Sequence, residues 1–302
     1  MNSKTKGISV IIPCYNREKT VGLSLDSVIS QNYTGDVEII VSDDGSTDGS
    51  IRVVESFGKK VMLLRKPADS TEQGVSGARN RGIMASTKDY VCFLDSDDYY
   101  LPGYLKKMVE VMEANPEAGY SFCRSRQEIN RGDGKVMVTD WTRKRMSALD
   151  KKYHALYRGH DINTNTIFVR RTVLDSVGLF NVSLSNVEDT DMWIRISEHS
   201  KGIFVDIYGA VYRINHSNGQ LTAVSQKVIR QCMGKVYAAA FQRYIVSGND
   251  DKLRYMLIVR LFLYRGLTSR KGWFFYLFRL ITVHFRLLCL FPRNYWRFLS
   301  EM

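Results

Sequence analysis

The chain has no CxxC pair and no Cys/His cluster, and its five cysteines (Cys14, Cys92, Cys123, Cys232, Cys289) are odd in number and scattered. Neither a disulfide framework nor a zinc site is indicated by that pattern. Cys14 and Cys92 fall in or beside predicted strands, where a free thiol behaves as a small hydrophobe. The cysteine usage reads as that of a reducing compartment, so the sequons at Asn32, Asn181 and Asn215 carry no meaning. The polar start from Met1 to Gly7 leads into an apolar run, Ile8 to Ile12, too short for a signal peptide. No internal repeat or low-complexity tract occurs. A general basic excess is also missing. The net charge is +12, but Asp251 to Met302 holds ten Lys/Arg against two Asp/Glu, an excess of eight. The first 250 residues are nearly balanced, which gives no footing for a nucleic-acid partner. The expectation is a cytoplasmic protein.

What is present is a chain of 302 residues with 44% hydrophobic content, enough for one large or two small domains with a proper core. Strands are predicted at Ile8–Ile12 (ending at Pro13), Val37–Val41, Val61–Leu64 and Tyr90–Leu94. Helices are predicted at Glu18–Gln31, Asp48–Phe57, Gly74–Ala85 and Gly103–Ala114. The β-α-β-α alternation implies a mostly parallel, doubly wound sheet. After Pro116 the pattern changes. Gly119–Cys123 and Lys135–Thr139 read as strands around a turn at Arg131–Gly134, and Tyr153–Gly159 as loop or short helix. Thr166–Arg170 reads as a strand, Arg171–Val177 as a helical turn stopped by Gly178, and Asp189–Glu198 as helix. Ile203–Ile207 and Ala210–Arg213 read as two strands, and the chain from Leu221 onward as helix. The division expected is 1–115, 116–220 and 221–302.

Two acidic clusters each follow an apolar, β-branched run: Ser42-Asp43-Asp44-Gly45-Ser46 and Asp95-Ser96-Asp97-Asp98. Such runs are buried strands, and residues just past them lie at the carboxyl edge of the sheet, where open α/β folds bind ligands. Carboxylates packed that closely repel unless a cation or polar ligand groups neutralise them. A nucleotide with its divalent metal supplies both. Alternation along an extended segment would point Asp95 and Asp97 the same way, and two hard oxygen ligands suit Mn²⁺ or Mg²⁺. An acidic turn before Pro102 is the plainer alternative. A Tyr15 face beside Pro13 can stack on a base or pack on the sheet edge. Asp44 can accept from the imide N–H of a uracil-like base, while Asp43 serves equally as a turn or cap residue. Arg79, on its own, suits a solvated helix face. Glu188, Asp189 and Asp191 precede or open an amphipathic helix and can be first-turn residues, and Trp193 reads as core.

Five segments stand in order: Ile11-Ile12-Pro13-Cys14-Tyr15-Asn16-Arg17, Val41 to Asp48, Gly77-Ala78-Arg79-Asn80-Arg81-Gly82-Ile83, Leu94 to Asp98, and Val187-Glu188-Asp189-Thr190-Asp191-Met192-Trp193. Together they resemble the family 2 glycosyltransferases, inverting enzymes of the GT-A fold that use nucleotide-sugar donors. The resemblance covers residues 7 to about 215. It implies a Rossmann-like α/β sheet with flanking helices, here with a C-terminal helical extension. It implies a donor site at Pro13, Tyr15, Asp44, Arg79, Asp95 and Asp98, and a metal held by Asp95 and Asp97 as a DXD motif. Asp98 completes a DXDD form, able to replace or support Asp97. The resemblance makes Asp189, beside Glu188, the catalytic base. Tyr212-Arg213-Ile214-Asn215-His216 resembles a Tyr-Arg-x-His pattern whose His joins the metal or diphosphate in some relatives. Here one extra residue separates Arg213 from His216.

Asp251 to Met302 contains 13 aromatic residues, and Arg279, Arg286 and Arg293 recur every seven residues on one helical face. Arginines within the apolar stretch Gly272–Phe291 would be costly in a spanning helix. A helix lying in the membrane interface against acidic head groups accounts for them. Packing onto the catalytic domain or a sister subunit in a homo-oligomer is the alternative. The expected activity is metal-dependent transfer of a UDP- or dTDP-sugar to a glycan or lipid-linked acceptor in surface polysaccharide assembly, at the inner face of the membrane. Two other classes remain at this point. One is a sugar-phosphate nucleotidyltransferase, which carries a basic Gly-rich loop where this chain has Pro13-Cys14-Tyr15-Asn16. The other is a non-catalytic nucleotide-sugar-binding protein.

Overall fold

The computed structural model describes residues 5–70, 74–130, 136–140, 162–215 and 225–247. The chain divides into two compact units, residues 1–223 and 224–302. In the first unit the elements in chain order are β1 (Ile8–Cys14), α1 (Val21–Ile29), β2 (Val37–Asp43), α2 (Ser50–Glu55), β3 (Met62–Arg65), α3 (Gly74–Ala85), β4 (Tyr90–Phe93), β5 (Tyr99–Tyr100), α4 (Tyr104–Glu113), β6 (Ala118–Asn130), β7 (Val136–Asp140), β8 (Ile167–Arg170), α5 (Arg171–Val177), α6 (Glu188–His199) and β9 (Lys201–Asn215). In the second unit α7 spans Gln226–Ser247, with Cys232, Met233, Val236, Tyr237 and Ala240 buried.

One sheet runs β3-β2-β1-β4-β8-β6-β9-β5, with β7 paired to β6. β3, β2, β1 and β4 are parallel, and β6 pairs parallel with β9 along its whole length. β8 enters antiparallel between β4 and β6. The result is the mostly parallel α/β sheet with flanking helices that the alternation predicts. Every residue of β1 is buried, because helices cover both faces of the parallel sheet. Alternate residues serve opposite cores. Val10 and Ile12 pack with Leu25 and Met108 on one face, and Ile11 packs with Ile83, Phe93 and Trp193 on the other.

Most predicted ends shift by one or two residues. Larger differences lie in the second half. Gly119–Cys123 is the start of a 13-residue strand, Ala118–Asn130. The two strands predicted between Ile203 and Arg213 are one, Lys201–Asn215, with register shifts opposite Cys123 and Arg124. The polar residues Arg124 to Glu128 hid this strand. In the structure Arg124 and Arg126 lie over the rings of Phe204 and Tyr208 on β9, so polar side chains cover the sheet there. β5 was not anticipated; it pairs Tyr99 with Val211. The turn at Arg131–Gly134, the Tyr153–Gly159 segment, His216 and the 251–302 tail lie outside the described residues. No helix among the described residues is long and apolar enough to cross a membrane.

Gly82 sets the approach of α3 to the central strand. A Cβ there would stand 2.4 Å from Ile11 Cγ2, a fully buried β-branched side chain. Gly82→Ala should therefore destabilise the protein by about 1–3 kcal/mol, despite alanine's better helix propensity. The effect should appear as a lower urea midpoint at constant m-value. An unchanged midpoint would mean that α3 can lift from β1 freely.

Candidate active site

The chain leaves β1 for β2 and β3 on one side and returns to β4 on the other. The strand order therefore reverses between β1 and β4, and the crevice beyond their carboxyl ends is the expected ligand site. Pro13 is buried within β1, which runs one residue further than predicted, to Cys14. Tyr15, the next residue out, is 53% exposed and presents its ring to solvent. Asn16 adopts φ 53°, a left-handed conformation that asparagine tolerates. Its backbone N–H donates to Ser46 Oγ at 3.0 Å and its Oδ1 accepts from the Thr47 N–H at 2.8 Å, tying the β1 and β2 loops together. Burial and then the nearby Asp43 charge push the Cys14 thiol up to about 12, so it is no nucleophile.

β2 reaches Asp43, whose buried carboxylate accepts the Gly45 and Ser46 N–H groups at 2.9 and 3.1 Å and closes the turn. Asp44 faces α3. Its Oδ2 accepts the Gly74 N–H at 2.7 Å and its Oδ1 pairs with Arg81 at 3.0 Å. The Arg81 Nε and Nη1 are buried without a partner among the described residues. Asp44 keeps free lone pairs, since an ionised carboxylate offers about four acceptor positions.

Asp95 to Asp98 is not extended, as the alternation argument assumed. The Asp98 N–H bonds the Asp95 carbonyl at 3.0 Å, and this turn, rather than strand alternation, brings Asp95 and Asp97 together. Asp97 pairs with Arg17 Nε at 3.3 Å. Burial first, then the Asp95 charge, raises the Asp97 carboxyl, with Arg17 opposing. Asp98 is fully buried, and its carboxylate takes Asn165 Nδ2 at 2.6 Å and the Arg213 N–H at 2.7 Å. That leaves it no face toward the crevice.

Arg79 is not on a solvated face. It is 4% exposed, and its guanidinium joins Asp95 Oδ1 at 2.9 Å to Glu188 Oε1 at 2.8 Å. The ring of Phe180 lies 5.4 Å beneath it. Burial disfavours the cation, but the charges of Asp95, Glu188 and Asp189 outweigh that and push its pKa up. Asn80 fixes Phe180 by clasping its carbonyl and N–H at 3.0 and 2.8 Å. Asp189 accepts the Thr190 N–H at 2.6 Å and the Thr164 hydroxyl at 3.4 Å. Burial raises the Asp189 carboxyl; Arg79 and the Thr190 N–H pull it down. The Glu188 carboxyl is raised by burial and then by the Asp189 charge. Asp191 turns away to Arg195 at 2.9 Å, and Trp193 packs in the core against Phe93 and Phe180.

The structure thus gathers Asp95, Asp97, Arg79, Glu188 and Asp189 at one place, with Pro13, Tyr15 and Asp44 along the neighbouring strand ends. It sets Asp98 behind them. Among the described residues no group of three His, Cys, Asp or Glu side chains is arranged to hold a metal unaided. Arg17, Asn80, Thr164, Asn165 and Phe180 were not singled out from sequence. Arg17 and Asn80 stand inside the quoted segments, so proximity was their signal. The other three are visible only in three dimensions.

The family described as Glycosyl transferase family 2 matches residues 9–178. An uncharacterised glycosyltransferase of Nostoc is 38% identical over 112 residues, 37% of this chain and 34% of that protein. An Escherichia coli protein, the UDP-Glc:α-D-GlcNAc-diphosphoundecaprenol β-1,3-glucosyltransferase WfaP, is 28% identical over 232 residues, 74% of this chain and 83% of its own. The crystal structure of Staphylococcus aureus TarS shares 18% identity at a TM-score of 0.66, covering 88% of this chain and 44% of that one; a TarS 1–349 structure in complex with UDP-GlcNAc gives 0.60. At that identity the likeness to TarS is one of fold, the GT-A fold. The family match takes in more than half of the chain, including the strand ends, the Arg79 helix and the Asp95–Asp98 turn that meet in the crevice, and on that ground the chain belongs to glycosyltransferase family 2.

Proposed function

We propose that this chain is an inverting, metal-dependent glycosyltransferase that moves a sugar from a UDP- or dTDP-sugar to a hydroxyl of a lipid-linked glycan. The observation that carries the reading is the convergence of Asp95 and Glu188 on the buried Arg79 guanidinium. It brings the acidic turn beyond β4 and the acidic start of α6 into one electrostatic unit. Glu188 is committed to Arg79, so Asp189 is the carboxylate left to act as base. Its raised pKa suits that task, since a base works best with a pKa nearer the operating pH. In the reaction the acceptor oxygen bonds to the anomeric carbon from the face opposite the departing group. Its proton passes to Asp189. The bond from that carbon to the diphosphate oxygen breaks, and the nucleoside diphosphate leaves with the electron pair.

Asp95 and Asp97 fit a divalent cation such as Mn²⁺ or Mg²⁺ that is bound by two carboxylates and completed by diphosphate oxygens. Each is paired with an arginine, and burial and then the Asp95 charge raise the Asp97 carboxyl, a repulsion that a shared cation would relieve. Such a cation would neutralise the charge that builds on the leaving diphosphate. Asp44 would read the base through its imide N–H, and Tyr15 offers a ring for stacking. The UDP-sugar donor draws support from the TarS complex with UDP-GlcNAc and the UDP-Glc named for the E. coli relative. The acceptor draws support from the diphosphoundecaprenol-linked sugar named for that relative. The basic, aromatic 251–302 tail would hold the enzyme at the inner face of the membrane carrying such an acceptor.

Asp189→Asn should cut turnover by on the order of 10²–10⁴ and leave UDP affinity close to wild type. The wild-type kcat should fall on acidification through a pKa above the usual aspartate value, since burial favours the protonated, inactive base. Steady-state kinetics across pH check both; full activity of Asp189→Asn together with an inactive Glu188→Gln would move the base to Glu188. Calorimetry should find UDP or dTDP bound more tightly than GDP, and Asp44→Ala should weaken the preferred nucleotide by roughly 1–3 kcal/mol. Tighter GDP binding would sink the base-reading role. Asp97→Asn should abolish transfer and make nucleotide affinity insensitive to Mn²⁺. Full transfer by that variant in excess chelator would exclude a metal at this turn.

A further inference from the structure

Asp98 and Asn165 form a buried carboxylate–amide pair directly behind the acidic turn, with exposures of 0% and 1%. Every polar atom of both side chains is engaged. Asn165 Oδ1 accepts the Asp95 N–H at 2.8 Å, and Asn165 Nδ2 donates to Asp98 Oδ2 at 2.6 Å. Asp98 Oδ1 accepts the Arg213 N–H at 2.7 Å. The Ser24 hydroxyl donates to the Asp98 carbonyl at 2.6 Å, and Asn163 Oδ1 accepts the Asn165 N–H at 2.9 Å. The pair so joins the turn after β4, the 3₁₀ turn Thr164–Thr166 before β8, and the end of β9. The neighbouring residue on that 3₁₀ turn, Thr164, donates to Asp189. One short turn therefore references both the acidic turn and the carboxylate assigned as base.

The hydrogen-bond polarity is determined from one end. The Asp95 N–H can only donate, so the Asn165 oxygen must face it and the Asn165 amine must face residue 98. The Arg213 N–H also points at residue 98. Residue 98 must then accept twice, which a carboxylate does and an amide does not. Burial, then the charges of Asp97 and Asp95, push the Asp98 carboxyl well up, so an acid is costly here and is kept for its double acceptor geometry.

We propose that Asp98 and Asn165 are positioning residues that set the Asp95–Asp97 turn opposite Asp189, and that their hydrogen-bond polarity, not a charge at residue 98, is what the site uses. The inference rests on the transferase reading above. It predicts an unusual rescue. With an acid at 165 and an amide at 98, the acid accepts from the Asp95 N–H and from the amide's amine, and the amide oxygen accepts the Arg213 N–H. Every bond is reproduced in the exchanged pair.

The test uses full-length protein and three variants: Asp98→Asn, Asn165→Asp and the double exchange. Melting temperature, UDP binding and turnover per folded molecule on the best nucleotide sugar are measured for each. The single variants set two amides or two acids face to face. Each should melt lower and lose on the order of ten- to a hundredfold in turnover, the scale of a misplaced reacting group. The double variant should recover melting temperature and UDP binding, with turnover within about threefold of wild type, the non-additivity expected of contacting residues. Wild-type turnover per folded molecule in both singles overturns the proposal, because the pair would then be scaffold only. A stable double variant as slow as the singles also overturns it, because the charge at residue 98 would then matter. If the singles do not fold, the double decides: folded and active upholds the proposal, and folded but inactive, or unfolded, overturns it. A wild-type chain that turns over no nucleotide sugar sinks the transferase reading instead. The melting temperatures then judge the pair alone, with recovery in the double upholding it and additive loss overturning it.

Discussion

A single buried cation holds the two acidic ends of the site together. Arg79 lies between Asp95 and Glu188, and both carboxylates are within 3 Å of its nitrogens. Taking that cation away would leave the end of β4 and the start of α6 facing each other with like charges in a poorly solvated place, a costly arrangement. The rest of the unit serves its placement. Gly82, one turn further along α3, allows the helix to approach Ile11 closely enough to bury Arg79. Asn80 clamps the backbone of Phe180, which puts an aromatic face under the guanidinium. Arginine suits the position because its planar fork can meet two carboxylates at once, which an ammonium does less well.

How far this was legible in the sequence differs from residue to residue. Val10 to Ile12, Ile39 to Val41 and Tyr90 to Leu94 are apolar runs, and a strand buried on both faces must read that way, so the sheet and its acidic rim were open to inference. Asp44, Asp95 and Asp97 were singled out because they follow the ends of strand runs, and Glu188 and Asp189 because they stand at the start of a helix in the order that the resemblance implies. Arg79 was singled out only through the resemblance, since its helix has no apolar face to mark which side is inward. β6 beyond Cys123 was hidden because arginines stacked on aromatics do the covering that aliphatic residues usually do. The role of Asp98 was misjudged for a different reason. Three acids in four residues look equivalent in one dimension. The turn closed by the Asp98 N–H and the Asp95 carbonyl sends two of them to the crevice and the third into the core. Nothing in the spacing distinguishes them, because the difference is made by Asn165 and Arg213, which lie far along the chain.

The electrostatics of the crevice follow from the same division. Arg17 and Arg79 each balance one carboxylate of the Asp95–Asp97 pair, while Glu188 shares Arg79 and Asp189 has no ion pair of its own among the described residues. Burial and mutual repulsion raise the carboxyls of Asp97, Glu188 and Asp189. A site of this kind is short of positive charge, and the deficit is largest when every acid is ionised. A donor diphosphate would make the imbalance worse, so its binding calls for added positive charge. In the proposed reaction a divalent cation bound with the diphosphate would supply that charge.

The start of α6 shows how the carboxylate proposed as base is held. Val187 adopts φ 58°, a left-handed conformation that a β-branched residue rarely takes. Such backbone costs on the order of 1–3 kcal/mol and persists only where the surroundings over-determine it. Here Val187 is buried and its carbonyl accepts the Asp191 N–H, the first bond of the helix. The kink ends the preceding loop abruptly and lets Glu188 and Asp189 open the helix while both reach the crevice. Asp189 then experiences two opposed effects. The helix N-terminus and the Thr190 N–H favour its charged form. Burial favours the neutral form and prevails, so the carboxyl is raised. A carboxylate with those contacts is fixed in direction and yet more ready to take a proton than a solvated aspartate. Both properties suit the proposed role of Asp189, the deprotonation of one particular hydroxyl.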